Sequence, residues 1–338
     1  MKLLDLFSGI GGFHKGFEQA GYNFEWVGFS DIDKYASAVY KYRYPNAKEL
    51  GNITTIRPER DLPNHIDILC GGFPCQAFSM AGKRKGFDDT RGTLFFEIAR
   101  ILRYYIDIGK PIDHFVLENV KGLLSHDGGQ TFAIIYGILA DLGYTVESQL
   151  LNTKWLLPQN RERIYIVGHI GKGSRAKVFP ITKDGKLSNE LKKPTQYTGT
   201  ITSRYHKMGD MDTYIKTKKE YAFNQKSLNE TLKKANLKKD DVKALDLYNK
   251  KAKDVTPALT LPHHNTLRIY DKTQVRRLTP VECMRLQGFP DHWNEKGIMN
   301  GKVVDMSDTQ RYRQAGNAVT VSIVQLIAEK MKISLLNE

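Results

Sequence analysis

Cys75 sits in GGFPCQAFS (71–79), directly after a proline in a turn opened by glycines, with the side-chain amide of Gln76 next to it. A thiol works as a nucleophile when it is exposed, preorganised and close to a group that stabilises what its attack creates. Glu118, in HFVLENV (114–120), offers such a group, because a carboxyl at the end of an apolar run is costly to desolvate and is either paired or functional. A third stretch, QNRERIYIVG (159–168), sets Gln159, Arg161 and Arg163 at alternate positions, and strand alternation would put all three on one face. A fourth, DLFSGIGGF (5–13), carries glycines at 9, 11 and 12, which let backbone approach a ligand and leave helix-start N–H groups free to bind it. Asp31 follows Gly9 by 22 residues, close to the roughly 20-residue offset at which a carboxylate meets a ribose hydroxyl pair. The G-x-G-G spacing departs from the G-x-G-x-x-G of dinucleotide folds. A nucleoside with a non-phosphate tail, such as S-adenosylmethionine, therefore fits this loop at least as well as a pyrophosphate.

Other roles for Cys75 compete with nucleophilic attack. The chain has only Cys70, Cys75 and Cys283, an odd and sparse set that argues against a disulfide framework. Cys70 closes the apolar run IDILC and reads as a buried structural thiol. Zinc held by Cys70, Cys75 and His263 or His264 would need a spacing that matches no common ligand pattern.

These residues need a scaffold that gathers them. Residues 1–170 alternate short β-type runs with amphipathic stretches, the pattern of a doubly wound parallel sheet. Strands are predicted at Lys2 to Phe7, Phe24 to Asp31, Ile66 to Gly71, Phe115 to Asn119, Thr145 to Asn152 and Ile164 to Ile170, and the clearest helices at Thr93 to Ile106 and Gln130 to Leu142. The motifs around Gly9, Cys75 and Glu118 each fall just past the C-terminal end of a predicted strand, where open α/β sheets bind ligands. From about Val178 the alternation gives way to a lysine-rich, irregular region with one helix-like stretch, Ser227 to Ala235, and an extended TPALTLPHHNTLRIY at 256–270. Helical periodicity returns from Gly316, with Val319, Ile323, Leu326, Ile327 and Met331 on one stripe that needs a core to pack on. The large domain is therefore expected to be discontinuous, its last element returning from the C-terminus.

At 338 residues two lobes are the starting expectation. No run reaches the roughly 18 apolar residues of a membrane helix, and MKLLDLFSGIGGF breaks into glycines too early for a signal peptide. A cytoplasmic protein is expected. Residues 171–275 hold 23 Lys and Arg against 11 Asp and Glu, a net +12 of the chain's +14. Basicity segregated in this way suits a polyanion, although a solvated lysine-rich face would look the same.

In their order along the chain, DLFSGIGGF, GFPCQAFS, LENV, QNRERIYIVG, RRLTPVECMRLQGFPDHW and GNAV resemble the DNA cytosine C5-methyltransferase family of bacteria and phages. The likeness spans everything except the lysine-rich middle. It implies an α/β, Rossmann-like fold for S-adenosylmethionine-dependent methyl transfer, a mostly parallel sheet with helices on both faces. A catalytic domain of 1–178 and 313–338 would carry a smaller, irregular, mainly β target-recognition domain at 179–312. Cys75 would attack C6 of a cytosine flipped out of duplex DNA while Glu118 stabilises charge at N3, Arg163 holds O2 and Arg161 supports the loop. S-adenosylhomocysteine would be the product. The cofactor would meet Phe7, Ser8, Gly9, Gly11 and Gly12, then Asp31 with Ile32, Asn52 with Ile53, Phe73, Pro74 and Leu94, and finally Asn317 with Ala318. Two positions depart from the family pattern: Asn52 stands where an acidic residue is common, and Ile32 where an aromatic is. Gln76, Ser79, Lys83, Arg84, Lys85, Gln159, Thr260 and Leu261 would face DNA, with Ser79 to Arg91 as a loop that closes over phosphates.

The resemblance further implies a monomer, associated with the nucleoid through DNA, and a restriction endonuclease of the same specificity acting separately. Three other readings stay open on sequence alone: a tRNA cytosine C5-methyltransferase, a non-catalytic DNA-binding relative, and a nicotinamide-dependent oxidoreductase, the last disfavoured by the glycine spacing.

Overall fold

The computed structural model describes residues 1–74, 94–171, 178–181 and 278–336, together with four strands between 242 and 276. Seven strands form the main sheet: β1 Lys2–Leu6, β2 Trp26–Ser30, β3 Lys48–Glu49, β4 Ile68–Gly72, β5 His114–Val120, β6 Thr145–Asn152 and β7 Glu162–His169. Their order is β3-β2-β1-β4-β5-β7-β6, with β3, β2, β1, β4 and β5 mutually parallel. β7 alone runs antiparallel, inserted between β5 and β6. All six expected strands are present, with ends shifted by up to two residues; the two-residue edge strand β3 was too short to show a period.

The strands are apolar on both sides because helices cover both faces. Leu4, Leu6, Leu69, Phe115 and Leu117 point to one side, where, beyond the single-turn α3 (Pro58–Asp61), α4 (Leu94–Asp107) buries Phe95, Ile98, Ile101, Leu102 and Tyr105 at helical spacing. α5 (Gln130–Asp141) adds Ile135 and Leu139 to the same core. Leu3, Ile68, Cys70, Val116 and Val167 point to the other side, against Phe13 and Phe17 of α1 (Gly12–Gln19) and the C-terminal helix. That helix, Val321–Leu336, returns to the N-terminal sheet as the periodicity required. Its Val324 lies where a Cβ on Gly16 would stand 2.5 Å away, and the Tyr22 hydroxyl donates to the Ala328 carbonyl at 3.1 Å.

A third core joins α2 (Lys34–Arg43) to the segment that begins at Leu278. Ile10, Ala36 and Val39 pack with Leu278, Cys283, Met284, Phe289, Trp293 and Met306. This segment contains α6 (Pro280–Leu286), started by a capping box between Thr279 and Glu282, and α7 (Asp308–Asn317). Residues 278–312 were expected in the small domain; here they share a core with α2, since the apolar side chains of the GFPDHW stretch bury against it. Lys296–Met299 and Lys302–Asp305 pair as an antiparallel hairpin in this segment, and Val242–Asp246, Lys251–Lys253, Leu267–Asp271 and Val275–Arg276 form a separate four-stranded antiparallel sheet, in the region expected to be mainly β. The helix-like stretch Ser227 to Ala235 lies outside the described residues.

The close seam between α1 and the C-terminal helix yields a measurable expectation. Alanine at Gly16 gains up to about 1 kcal/mol of helix propensity, but overpacking a seam this tight costs about 1–3 kcal/mol. Gly16→Ala should lower unfolding stability in urea, with an unchanged slope; a variant more stable than the parent would show that the seam yields freely.

Candidate active site

A cleft of about 420 Å³ opens where the C-terminal ends of β1, β2, β4 and β5 converge. Segments at the ends of five strands and of α7 build it. From β1, Phe7 and Gly9 both turn at φ +53°, and a left-handed phenylalanine is the kind of strain that well-determined sites hold. Both line the cleft, as does Ile10. No atom lies within 4 Å of where a Gly9 side chain would begin, so this glycine leaves room. The other two glycines serve packing. Gly11, at φ +85°, would press a Cβ to 3.1 Å from the Tyr44 ring, and a Cβ on Gly12 would stand 2.5 Å from Val319. Ser8 is buried with its amide on the Ser30 carbonyl at 3.1 Å. The loop is held from behind by Trp293, whose indole N–H donates to the Ile10 carbonyl at 2.9 Å.

From β2 comes Asp31. Its Oδ2 accepts from the Gly9 amide and its Oδ1 from the Asp33 amide, each at 2.8 Å. Burial raises its pKa above the ordinary carboxyl value, while these amide bonds favour the charged form. Asp33 also lines the cleft and caps α2 through the Tyr35 and Ala36 amides. Ile32 is 79% exposed and stands outside the lining.

From β4 come Gly72, Phe73 and Pro74. Residues 75–93 lie outside the described residues, and Cys75, Gln76, Ser79, Lys83, Arg84 and Lys85 with them, as do Thr260 and Leu261. The carbonyl of Phe73 accepts from Asn119 Nδ2 at 2.9 Å, so the end of β4 is pinned to the end of β5 two residues before Cys75.

From β5 and β7 come the ionisable groups. Glu118 Oε1 pairs with Arg163 Nε at 2.9 Å, both side chains largely buried. A Cβ at Gly72 would stand 3.1 Å from Glu118 Oε2, so glycine at 72 gives the carboxyl its place over β4. Arg163 Nη1 also donates to the Glu162 carbonyl at 2.8 Å. Arg161 lies deeper, fully buried, with Nη2 donating to the Ala318 carbonyl at 2.9 Å and Nη1 to that of Gly316 at 3.4 Å. Burial first, and the neighbouring Arg163 second, lower its pKa to about 9, leaving it charged at neutral pH. Arg161 thereby ties β7 to the end of α7, where Gln314, Gly316 and Asn317 complete the lining.

The structure thus gathers Phe7, Gly9, Asp31, Phe73, Pro74, Glu118, Arg161, Arg163 and Asn317 around one space. It does not bring Gln159 there. That side chain is fully buried and donates from Nε2 to the Leu286 carbonyl at 2.7 Å. Strand alternation fails for it because β7 starts only at Glu162. Asn52 instead caps a short turn, accepting from the Thr54 amide at 3.1 Å, and Ile53 belongs to the core. Leu94 packs against the same core, and Ala318 offers its carbonyl rather than its side chain. Sequence reasoning missed Asp33, Asn119 and Gln314; the cap position of Asp33 before α2 was a usable signal.

The two ends of the cleft differ in charge. Asp31 and Asp33 face the glycine loop, Asp33 pairing at 3.3 Å with Arg313 outside the lining residues, while Arg161, Arg163 and Glu118 sit at the other end. An acidic end suits a ligand that carries positive charge and repels a pyrophosphate. The basic end presents charge-assisted donors beside a carboxyl, an arrangement that grips a planar amide-like ring and polarises it.

The sequence pattern described as C-5 cytosine-specific DNA methylase matches residues 1–333. The chain is 40% identical to Type II methyltransferase M1.ScrFI of Lactococcus lactis subsp. cremoris over 336 residues, which is 98% of this chain and 77% of that protein. It is 37% identical to Type II methyltransferase M.NlaX of Neisseria lactamica over 337 residues, 99% of this chain and 97% of that one. Among solved structures, the S. pombe Dnmt2 methyltransferase matches with a TM-score of 0.62 at 20% identity, over 99% of this chain and 98% of that one, a likeness of fold.

Removing the Arg161 guanidinium strands the Gly316 and Ala318 carbonyls, and hydrogen bonds to a charged group contribute about 1.5–3 kcal/mol each. Arg161→Met should lower unfolding stability by about 2–4 kcal/mol in urea titrations. A loss within 0.5 kcal/mol, roughly the range of neutral surface changes, would show that Arg161 does not hold α7 in place.

Proposed function

This chain belongs to the C-5 cytosine-specific DNA methylase family, and from that premise we propose that it transfers a methyl group from S-adenosylmethionine to C5 of a cytosine flipped out of duplex DNA. Its role is that of the modification enzyme in a restriction–modification pair, as the Type II names of its relatives support. The observation that carries the reading is the single cleft with an acidic, glycine-lined end, a Glu118–Arg163 pair at the other, and between them Pro74, the residue before Cys75.

The donor set fits the cofactor. Asp31 keeps lone pairs beyond the two amides it accepts and can receive both ribose hydroxyls. Phe7 offers a ring beside the open space at Gly9, and Asn317 closes the far side. S-adenosylmethionine, when bound, supplies an electrophilic methyl group on a cationic sulfur, and Asp31 at this end favours that charge, Asp33 being paired with Arg313.

Cytosine C5 needs activation before it can accept a methyl group. The Cys75 thiolate adds to C6 and pushes electron density toward C5, while Glu118 shares a proton with N3 and Arg163 donates to O2. C5 then takes the methyl group, its proton leaves to a base, and re-formation of the double bond expels the thiolate. Reaching both faces of the ring requires flipping the base from the stack at a cost of a few kcal/mol. Residues 1–178 and 313–338, with the 278–312 segment that shares their core, make up the catalytic part, and the basic middle of the chain follows the DNA backbone and reads the target. The enzyme acts as a monomer in the cytoplasm, with the endonuclease acting separately.

Incorporation of labelled methyl from S-adenosylmethionine into mixed-sequence duplex DNA tests the reading, with no incorporation above a Cys75→Ser control as the outcome that sinks it. Glu118→Gln should lower kcat by about 10²–10⁴, the scale of a lost proton-transfer group. Asp31 takes up its proton at a higher pH than an ordinary carboxyl. Cofactor affinity should therefore fall on acidification at a higher pH than an ordinary carboxyl would require, and Asp31→Asn should both weaken binding about 10- to 100-fold and flatten that dependence.

A further inference from the structure

Behind the glycine loop lies a buried acid that the chemistry above does not use. Asp5, on β1, is fully buried with no exposed surface, and Oδ2 accepts from the Tyr40 hydroxyl of α2 at 3.2 Å. The Cys70 thiol of β4 and the His14 amide of α1 also bear on this carboxyl, yet Oδ1 has no well-aligned partner among the described residues. An ionised carboxylate with an unpaired oxygen in a core would be costly. The Tyr40 hydroxyl in turn meets His14 Nδ1 at 3.1 Å.

The proton count of this chain has two solutions. Tyr40 has one hydrogen to give. If Asp5 is ionised, Tyr40 donates to it and His14 carries its proton on Nδ1. If Asp5 is the neutral acid, it donates to the Tyr40 oxygen and Tyr40 donates to His14; both solutions give every hydrogen an acceptor, and the burial of Asp5 with Oδ1 unpaired favours the neutral one. The four elements that touch Asp5 all end at the cleft: β1 delivers Phe7 and Gly9, α1 starts from the loop, α2 contributes Ala36, and β4 delivers Phe73 and Pro74.

We propose that Asp5 is a positioning residue for the cofactor end of the cleft, a neutral acid that pins β1 to α1, α2 and β4 and loosens the loop when it loses its proton. The name of the ligand rests on the reading of the cleft given above; the pinning does not. Burial raises the Asp5 pKa to about 8, with Asp31 adding in the same direction and Cys70, Tyr40 and the His14 amide opposing. The surrounding groups are silent in that range. Burial lowers His14 to about 4 despite Glu18, with Lys15 adding to the lowering, and it holds Tyr40, Tyr44 and Cys70 well above their ordinary values. Ionised Asp5 reverses the hydrogen bonds of the chain and sets a second negative charge behind Asp31.

The sign follows from linkage. Native Asp5 keeps its proton up to about pH 8 while the unfolded chain releases it near 3.8, so stability contributed by this group falls as pH rises through that window. Asparagine at position 5 has the donor and acceptor of the neutral acid and cannot ionise.

Three measurements on the full chain and on Asp5→Asn test the proposal: stability in urea from pH 5 to 9, hydrogen-exchange protection factors for amides 8–14, and S-adenosylhomocysteine affinity from pH 7 to 9.5. Between pH 5 and 8 the parent's folding constant should lose up to tenfold per pH unit relative to Asp5→Asn, then run parallel to it. Above pH 8 the parent should lose protection at 8–14 and bind about tenfold more weakly, and Asp5→Asn should do neither. Identical stability profiles, or an Asp5→Asn protein that does not fold, would overturn the neutral acid. Matching protection profiles would overturn the pinning. Absence of S-adenosylhomocysteine binding by the parent at every pH, with protection still diverging, would uphold the pinning and overturn the cofactor reading alone.

Discussion

One hydrogen bond decides the shape of the cofactor end: the Gly9 amide donating to Asp31 Oδ2 at 2.8 Å. It joins the loops that leave two neighbouring parallel strands, whose register sets Leu6 beside Ser30. Because those loops are short, everything downstream inherits the join. α1 starts where the Gly11 turn aims it, α2 starts under the Asp33 cap that also donates an amide to Asp31, and the two helices then enclose the buried polar chain of His14, Tyr40 and Asp5. The same carboxyl thus organises backbone and faces the open space, which is why its charged form is supported by amides even though burial opposes it.

The opposite end depends on a charge that never reaches the ligand space alone. Arg161 is buried beside a second arginine, an arrangement that repels, and the repulsion is offset by the carbonyls of Gly316 and Ala318 and by the nearby Glu118. With Arg161 anchored, Arg163 can lie against Glu118 in one fixed geometry. Inserting β7 antiparallel between β5 and β6 makes this possible, since register pairs Val120 with Arg163 and carries both side chains to the cleft from opposite strand directions. A fully parallel sheet would put the arginines at the far edge.

The period-2 and period-3.6 signals made most of the fold readable from residues alone: β6 spans Thr145–Asn152 as expected, and the apolar stripe of the C-terminal helix pointed to the N-terminal core, though not to α1 as its neighbour there. The edge strand β3 and the antiparallel sense of β7 were not readable, because direction and pairing are tertiary properties. In the site, residues at strand ends were legible as a group, since their positions follow from the sheet. Assignments made by motif proximity were less so. Gly11, Gly12 and Ser8 belong to a ligand motif in sequence but in space fill seams, and Gln159 stops short of the strand that would have aimed it. Sequence neighbours of a ligand residue share its loop; whether they share its ligand depends on which way a turn faces.

The chain leaving β4 is fixed residue by residue up to Pro74. Gly72 is held in register against Glu118 and has no room for a side chain beside the carboxyl. Phe73 has its carbonyl on Asn119 and its ring 5.4 Å from that of Phe95 in the core. Pro74 then removes a backbone rotation, its φ set by the ring. Three consecutive residues therefore enter position 75 with little freedom left, and the same two strands that restrain them also carry Glu118. Glu118 and the run that leads to position 75 are consequently held by one pair of hydrogen-bonded strands. Each degree of freedom removed beforehand in such a segment is one that binding does not have to restrict.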